Sequence, residues 1–172
     1  MNYIMSGVIL INAVLSAYWA VESLLKKERS RNIKIGVFVM GLFCTIWSVG
    51  FGLLYLMPTV HAAYICRCIG MVGVFGYLII AVRLVAGMTK APTKLVRVFE
   101  WISYTGILVW FATDAPGQSL YYIGKWGMTY SLTSGLPNNI YSAYSVLMAV
   151  GISMFAWYTI KYSDTYRQRR IG

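Results

Sequence analysis

Two arginines stand inside an apolar run where charge is costly, and Arg67 and Arg83 are the first residues to ask for a chemical role. Arg67 falls about 7–8 Å below the outer end of its expected helix, and no carboxylate within a span shares that depth. The nearest acid is Asp114, at the mouth of the following helix. Polar tips on other segments add Tyr141, Ser142, Tyr144 and Ser145, with Ser6, Asn12, Trp47 and Ser48. A guanidinium among aromatic and hydroxyl groups can anchor an anionic or carbonyl-bearing ligand. The candidate ligand-binding set is therefore Arg67, Asp114, Tyr141, Tyr144 and Trp47. An Arg67–Asp114 bridge, or snorkelling to the interface, would account for the same arginine without a ligand. Arg83 lies about 7 Å from the cytoplasmic end of its helix and Glu100 about 9 Å in from the same side. Either they form an ion pair or Arg83 snorkels along its stem, and both roles are structural.

Other reactive residues are sparse. Cys66 and Cys68 are two apart on a helix and diverge, so they suit neither a disulfide nor a shared metal; with Cys44 they read as small apolar fillers. His61 is the only histidine. The five acids are Glu22, Glu28, Glu100, Asp114 and Asp164, and no two make a catalytic pair. There is no phosphate loop and no nucleophile–histidine–acid set. The reading is non-enzymatic, with no metal and no cofactor.

The elements that position these residues follow from composition. The chain is 59% hydrophobic and only 12% charged, against about 25% in soluble domains, so it cannot clothe a water-facing surface. Mean hydropathy is +0.64. Apolar runs long enough to cross about 30 Å of hydrocarbon predict an all-α, polytopic membrane bundle of five helices. They cover about 3–25, 33–56, 62–88, 95–113 and 140–162, all in one transmembrane domain, with an outer loop at 114–139. A net charge of +10 would also suit nucleic acid, but that needs a basic patch on a folded soluble surface, so no nucleic-acid partner is expected. The charge instead reports orientation. Twelve of the 15 Lys and Arg gather on one side: Lys26, Lys27, Arg29, Arg31 and Lys34; Lys90, Lys94 and Arg97; Lys161, Arg167, Arg169 and Arg170. Only Lys125 lies on the other. The positive-inside rule puts the N-terminus outside and the C-terminus in the cytoplasm. Met1–Gly7 carries no positive charge and basic residues follow the first apolar run, the reverse of a cleaved signal peptide.

Gly70, Gly73 and Gly76 recur every third residue in the third helix. Close helix packing in lipid is one account; a signalling hinge is the other. Trp19, Trp101, Trp110 and Trp157 read as packing and interfacial anchors. In the outer loop, Leu120–Ile123 and Met128–Leu132 flank Gly124-Lys125-Trp126-Gly127. That pattern fits either a short hairpin lying over the mouth as a lid or an irregular aromatic loop on the interface.

Several stretches resemble a known family. Trp47-Ser48-Val49-Gly50-Phe51-Gly52-Leu53 on the second helix, Tyr64-Ile65-Cys66-Arg67 followed by Gly70, Arg83–Lys90 closing the third helix, Thr113-Asp114-Ala115-Pro116, and Tyr141–Tyr144 are arranged in order. The arrangement resembles the seven-helix N-terminal transmembrane sensor region found ahead of bacterial histidine kinases and some diguanylate cyclases. Two departures stand out. The family usually closes its third helix on an apolar-acidic-aromatic end, and it continues with a sixth and a seventh helix, so this chain is either a fragment or a five-span relative. The resemblance implies a receptor input region in the bacterial plasma membrane, of a two-component type. It would be a homodimer that binds a small molecule or peptide and relays a helix shift to a cytoplasmic output domain, which this chain lacks. The alternatives are a small transporter or channel subunit, or an accessory membrane subunit of a larger complex. The proline positions (58, 92, 116 and 137), all expected outside the spans, and the lack of an internal repeat argue against transport.

Overall fold

The computed structural model describes residues 3–25, 31–89 and 93–168, without the side chains of 87–89, 93, 152, 155, 156 and 158–168. Five helices and one hairpin follow in order: α1 Ile4–Leu25, α2 Arg31–Leu54, α3 Val60–Thr89, α4 Thr93–Ala112, β1 Leu120–Gly124, β2 Gly127–Ser131 and α5 Leu136–Gln168. The first four helices are each long and apolar enough to cross a membrane. The fifth has 33 residues, which at 1.5 Å per residue is about 50 Å. Lys26, Lys27, Arg29, Lys90, Arg169 and Arg170, half of the basic residues that set the expected orientation, lie outside the described residues, as does Glu28.

α1 and α2 pack antiparallel along a seam of small and hydroxyl-bearing residues. Ser6 Oγ donates to the Gly52 carbonyl at 2.8 Å, Asn12 Nδ2 to Ser48 Oγ at 2.8 Å, and Ser16 Oγ to Cys44 Sγ at 3.3 Å. The seam closes where a Cβ on Gly41 would lie 2.6 Å from that of Ala20. Such bonds join helices in a medium where apolar burial cannot.

α3 is the shared element. At about 100° per residue, Cys66, Gly70, Gly73 and Gly76 form one face and Arg67, Met71, Phe75, Leu78 and Val82 another. The first face meets α2 backbone to backbone: a Cβ on Gly73 would lie 2.3 Å from the Trp47 nitrogen, and one on Gly50 2.3 Å from the Gly70 nitrogen. The helix runs unbroken through all three glycines, which here serve close approach. The second face carries the main core with α4 and α5: Met71, Phe75, Val82, Phe99, Trp110, Tyr144 and Met148. Tyr144 seats its ring over Gly106, and Phe99 over Gly151.

The stretch expected as a 26-residue outer loop is folded. α4 stops in a Schellman pair, Asp114 N to Phe111 O at 3.1 Å and Ala115 N to Trp110 O at 3.2 Å, with Asp114 at φ +48°. The hairpin pairs Tyr121 with Tyr130 and Gly124 with Gly127. Of the two readings of this stretch, the hairpin is the one present, a small two-stranded addition to the otherwise helical fold. α5 starts at Leu136, four residues early, so Pro137 sits in its first turn and not outside it. There the missing N–H costs no helical bond.

Candidate functional site

Among the described residues Arg67 is the charged side chain sealed in the fold, 1% exposed. Counting from Val60, it lies about 10 Å into α3. Its Nη1 donates to the Pro116 carbonyl and to Tyr121 Oη, both at 3.4 Å. Tyr121 Oη in turn donates to Pro116 O at 2.9 Å. The Tyr130 ring covers the guanidinium, 3.8 Å from Cζ to the centroid, while the rings of Trp110 and Tyr121 stand at 5.8 and 5.9 Å. The charge thus rests on neutral acceptors and three aromatic faces, each a favourable but weak substitute for water. Its Nε has no hydrogen-bond partner among the described residues, nor has the indole Nε1 of Trp110.

The hairpin is held over this cluster from the end of α2 and the turn after it. Met128 N donates to Tyr55 O at 3.2 Å, and Met128, 3% exposed, packs with Leu54, Ala63 and Cys66. Gly127, at φ +120°, lies so close that a Cβ would sit 2.2 Å from the same Tyr55 oxygen. Burial pushes the hydroxyls of Tyr121 and Tyr130 above the ordinary phenol range, against the opposing pull of Arg67. Both are neutral phenols at physiological pH and can act as donors.

The candidate residues divide. Asp114 does not bridge to Arg67; it caps α4 and accepts the Tyr64 hydroxyl at 3.2 Å, next to the stacked His61 and Tyr64 rings. Tyr141 joins the cluster through Trp110, ring to ring at 6.3 Å. Tyr144 lies deeper, beyond Phe75, at 5.5 Å from that ring, with its hydroxyl unpartnered among the described residues. Trp47 belongs elsewhere. It contacts the glycine face of α3, stands 6.2 Å from Tyr77, and with Asn12, Ser48, Phe51 and Tyr55 lines a cavity of about 450 Å³ between α1 and α2. Arg83 Nε is paired with Glu100 Oε1 near the other end of α3.

Trp110, Pro116, Tyr121 and Tyr130 were not among the residues singled out for binding. One signal pointed to the tyrosines: a turn bounded by Gly124 and Gly127 sets Tyr121 opposite Tyr130, making a cross-strand aromatic pair on one face. Pro116 contributes a backbone carbonyl, which no residue type announces. Comparison with protein-family models, with curated proteins and with solved structures finds no match to this chain.

Proposed function

We propose that the chain is the input region of a transmembrane receptor in the bacterial plasma membrane, with five spans, the N-terminus outside and the C-terminus in the cytoplasm. A small molecule or peptide binds at Arg67 beneath the hairpin, and the response travels along α3. One observation carries the proposal: a buried guanidinium with only neutral partners among the described residues, roofed by a two-stranded flap anchored by a backbone bond at Tyr55, just past the end of α2. A charge kept at such cost is a functional feature more often than a packing solution. α3 supports the relay because it contacts the hairpin cluster, α2 and the α4–α5 core. Signalling then requires only that the ligand favour one packing of these helices over another.

The test uses the protein in lipid nanodiscs, with Cys44, Cys66 and Cys68 replaced by alanine. Spin labels at the exposed positions Asn32→Cys on α2 and Arg97→Cys on α4 report the end opposite the hairpin. Detaching the hairpin with Gly127→Val should move their distance distribution by about 2 Å or more, the scale of helix shifts in switching proteins. An unchanged distribution overturns the relay. Solute-specific uptake into proteoliposomes would replace the receptor by a transporter.

A further inference from the structure

We propose that Arg67 receives a single carboxylate, carried by a small monoanion with a short apolar body. This rests on the placement of the ligand at Arg67 and adds its chemistry. The guanidinium is 1% exposed, and both of its hydrogen bonds leave from Nη1 to neutral oxygens at the long distance of 3.4 Å. The Nε edge carries no bond among the described residues, and the Trp110 indole N–H, on a ring 5.8 Å away and itself 2% exposed, carries none either. Both groups are obligate donors, and a buried donor without an acceptor costs about 1–3 kcal/mol. Among the described residues, acceptors with charge are not at hand. Asp114 is turned to Tyr64, Glu100 holds Arg83, and Glu22 stands at the opposite end of α1.

The charge inventory sets the valence. Among the described residues Arg67 is the only cation in the cluster; Lys125 lies at the hairpin tip, with Nζ 5.0 Å from the Trp126 ring. One negative charge therefore balances the site, whereas a phosphate dianion would leave a net charge in a low-dielectric surrounding. A carboxylate, planar and two-oxygened, matches the guanidinium edge better than a spherical halide. The body of the ligand must be apolar and small, since Tyr130, Tyr121 and Trp110 wall the cation. Entry requires the hairpin to lift, because Tyr130 covers the guanidinium face.

Nanodisc-embedded protein is titrated with sodium acetate, butyrate, benzoate and phenylacetate at constant ionic strength, with tryptophan emission and protease resistance of the hairpin as readouts. Acetamide, benzamide, sodium chloride and sodium phosphate are the controls. A monocarboxylate should bind, its amide should not, and Arg67→Gln should weaken binding by about tenfold or more, the equivalent of one charged hydrogen bond. Where Arg67→Gln does not fold, Trp110→Phe removes the indole donor alone and should weaken binding by about threefold or more. Equal response to amides, chloride or phosphate overturns the proposal, as does failure of every carboxylate or full binding by both variants. The two proposals fail separately. Carboxylate binding without movement between labels at 32 and 97 removes the receptor and keeps the site. Label movement caused by Gly127→Val without carboxylate binding does the reverse.

Discussion

Arg67 and Arg83 sit 16 residues apart on one helix, about 24 Å at 1.5 Å per residue, and the fold treats them in opposite ways. Arg83 has a carboxylate partner, Glu100, and its side chain remains 53% exposed. Arg67 is sealed, stacked on aromatic rings and bonded to a carbonyl and a phenol. An ion pair that keeps contact with solvent or headgroups has a small effect on stability and asks nothing further of the protein. A buried cation on neutral partners is held in place by the groups around it, here Tyr121 and Tyr130 of the hairpin with Trp110 and the Pro116 carbonyl. The contrast gives one end of α3 a paired, part-exposed cation and the other a buried cation on neutral partners, which is what the proposed binding role rests on.

The largest effect should come from making the two ends alike. Gly127→Val places a β-branched residue at φ +120° with its Cβ 2.2 Å from Tyr55 O, so β2 cannot keep its seat. We expect the hairpin to detach, with a loss of about 2–4 kcal/mol in hairpin stability, read as lost amide-exchange protection over 120–131. Protection retained there would show that the roof does not depend on Tyr55. At the other end, Arg83→Ala or Glu100→Ala should each cost about 1 kcal/mol, and the double exchange Arg83→Glu with Glu100→Arg should recover most of it. Absence of recovery in thermal unfolding would mean that contact between them is incidental.

Much of this asymmetry was out of reach of the sequence for identifiable reasons. The first four helices were legible to within about two residues, since apolar length alone demands them. α5 was cut short at both ends because Pro137, Asn138 and Asn139 at its start are not apolar, yet Asn138 steadies that turn by donating to Thr133 O at 3.0 Å. The depth match behind Arg83 and Glu100 works because neighbouring antiparallel helices share a depth scale. The same logic applied to Arg67 picks Asp114, and fails there because the cap of α4 turns that residue into a left-handed conformation beside Tyr64. Trp47 was grouped with Arg67 by depth as well; helix rotation puts it on the glycine face of α3. Depth can be read from a sequence, but rotation and loop carbonyls emerge only from packing.

A smaller change separates roof from partner. Tyr121→Phe removes the hydroxyl that accepts from Arg67 and donates to Pro116, and should cost about 1 kcal/mol; Tyr130→Phe keeps the covering ring and should be nearly neutral. Similar losses from both would mean that stacking and bonding are not separable there. Alkaline titration gives the same distinction without mutation. Because burial raises both phenols in the fold, their neutral form is favoured. Their contribution is whole below the unfolded value near 10 and is lost as pH rises through the folded ones. Phenolate absorbance should therefore appear together with loss of hairpin protection, and in the Tyr121→Phe variant the coupling should be reduced.

The smallest effect tests what a carboxylate does at each end. Asp114 has φ +48° and closes the Schellman pair of α4, a position where Asn and Gly are at ease and Ala is not. If its backbone conformation is what matters, Asp114→Asn should alter stability by less than about 0.5 kcal/mol, keep an acceptor for Tyr64, and leave carboxylate binding at Arg67 unchanged; Asp114→Ala should cost about 1 kcal/mol from left-handed strain. The matching change at the other end, Glu100→Gln, keeps shape and removes charge, and should lose the pairing energy that Arg83 supplies. A carboxylate affinity at Arg67 that rises in Asp114→Asn would show instead that Asp114 already screens the guanidinium. The difference between the two arginines would then be one of degree.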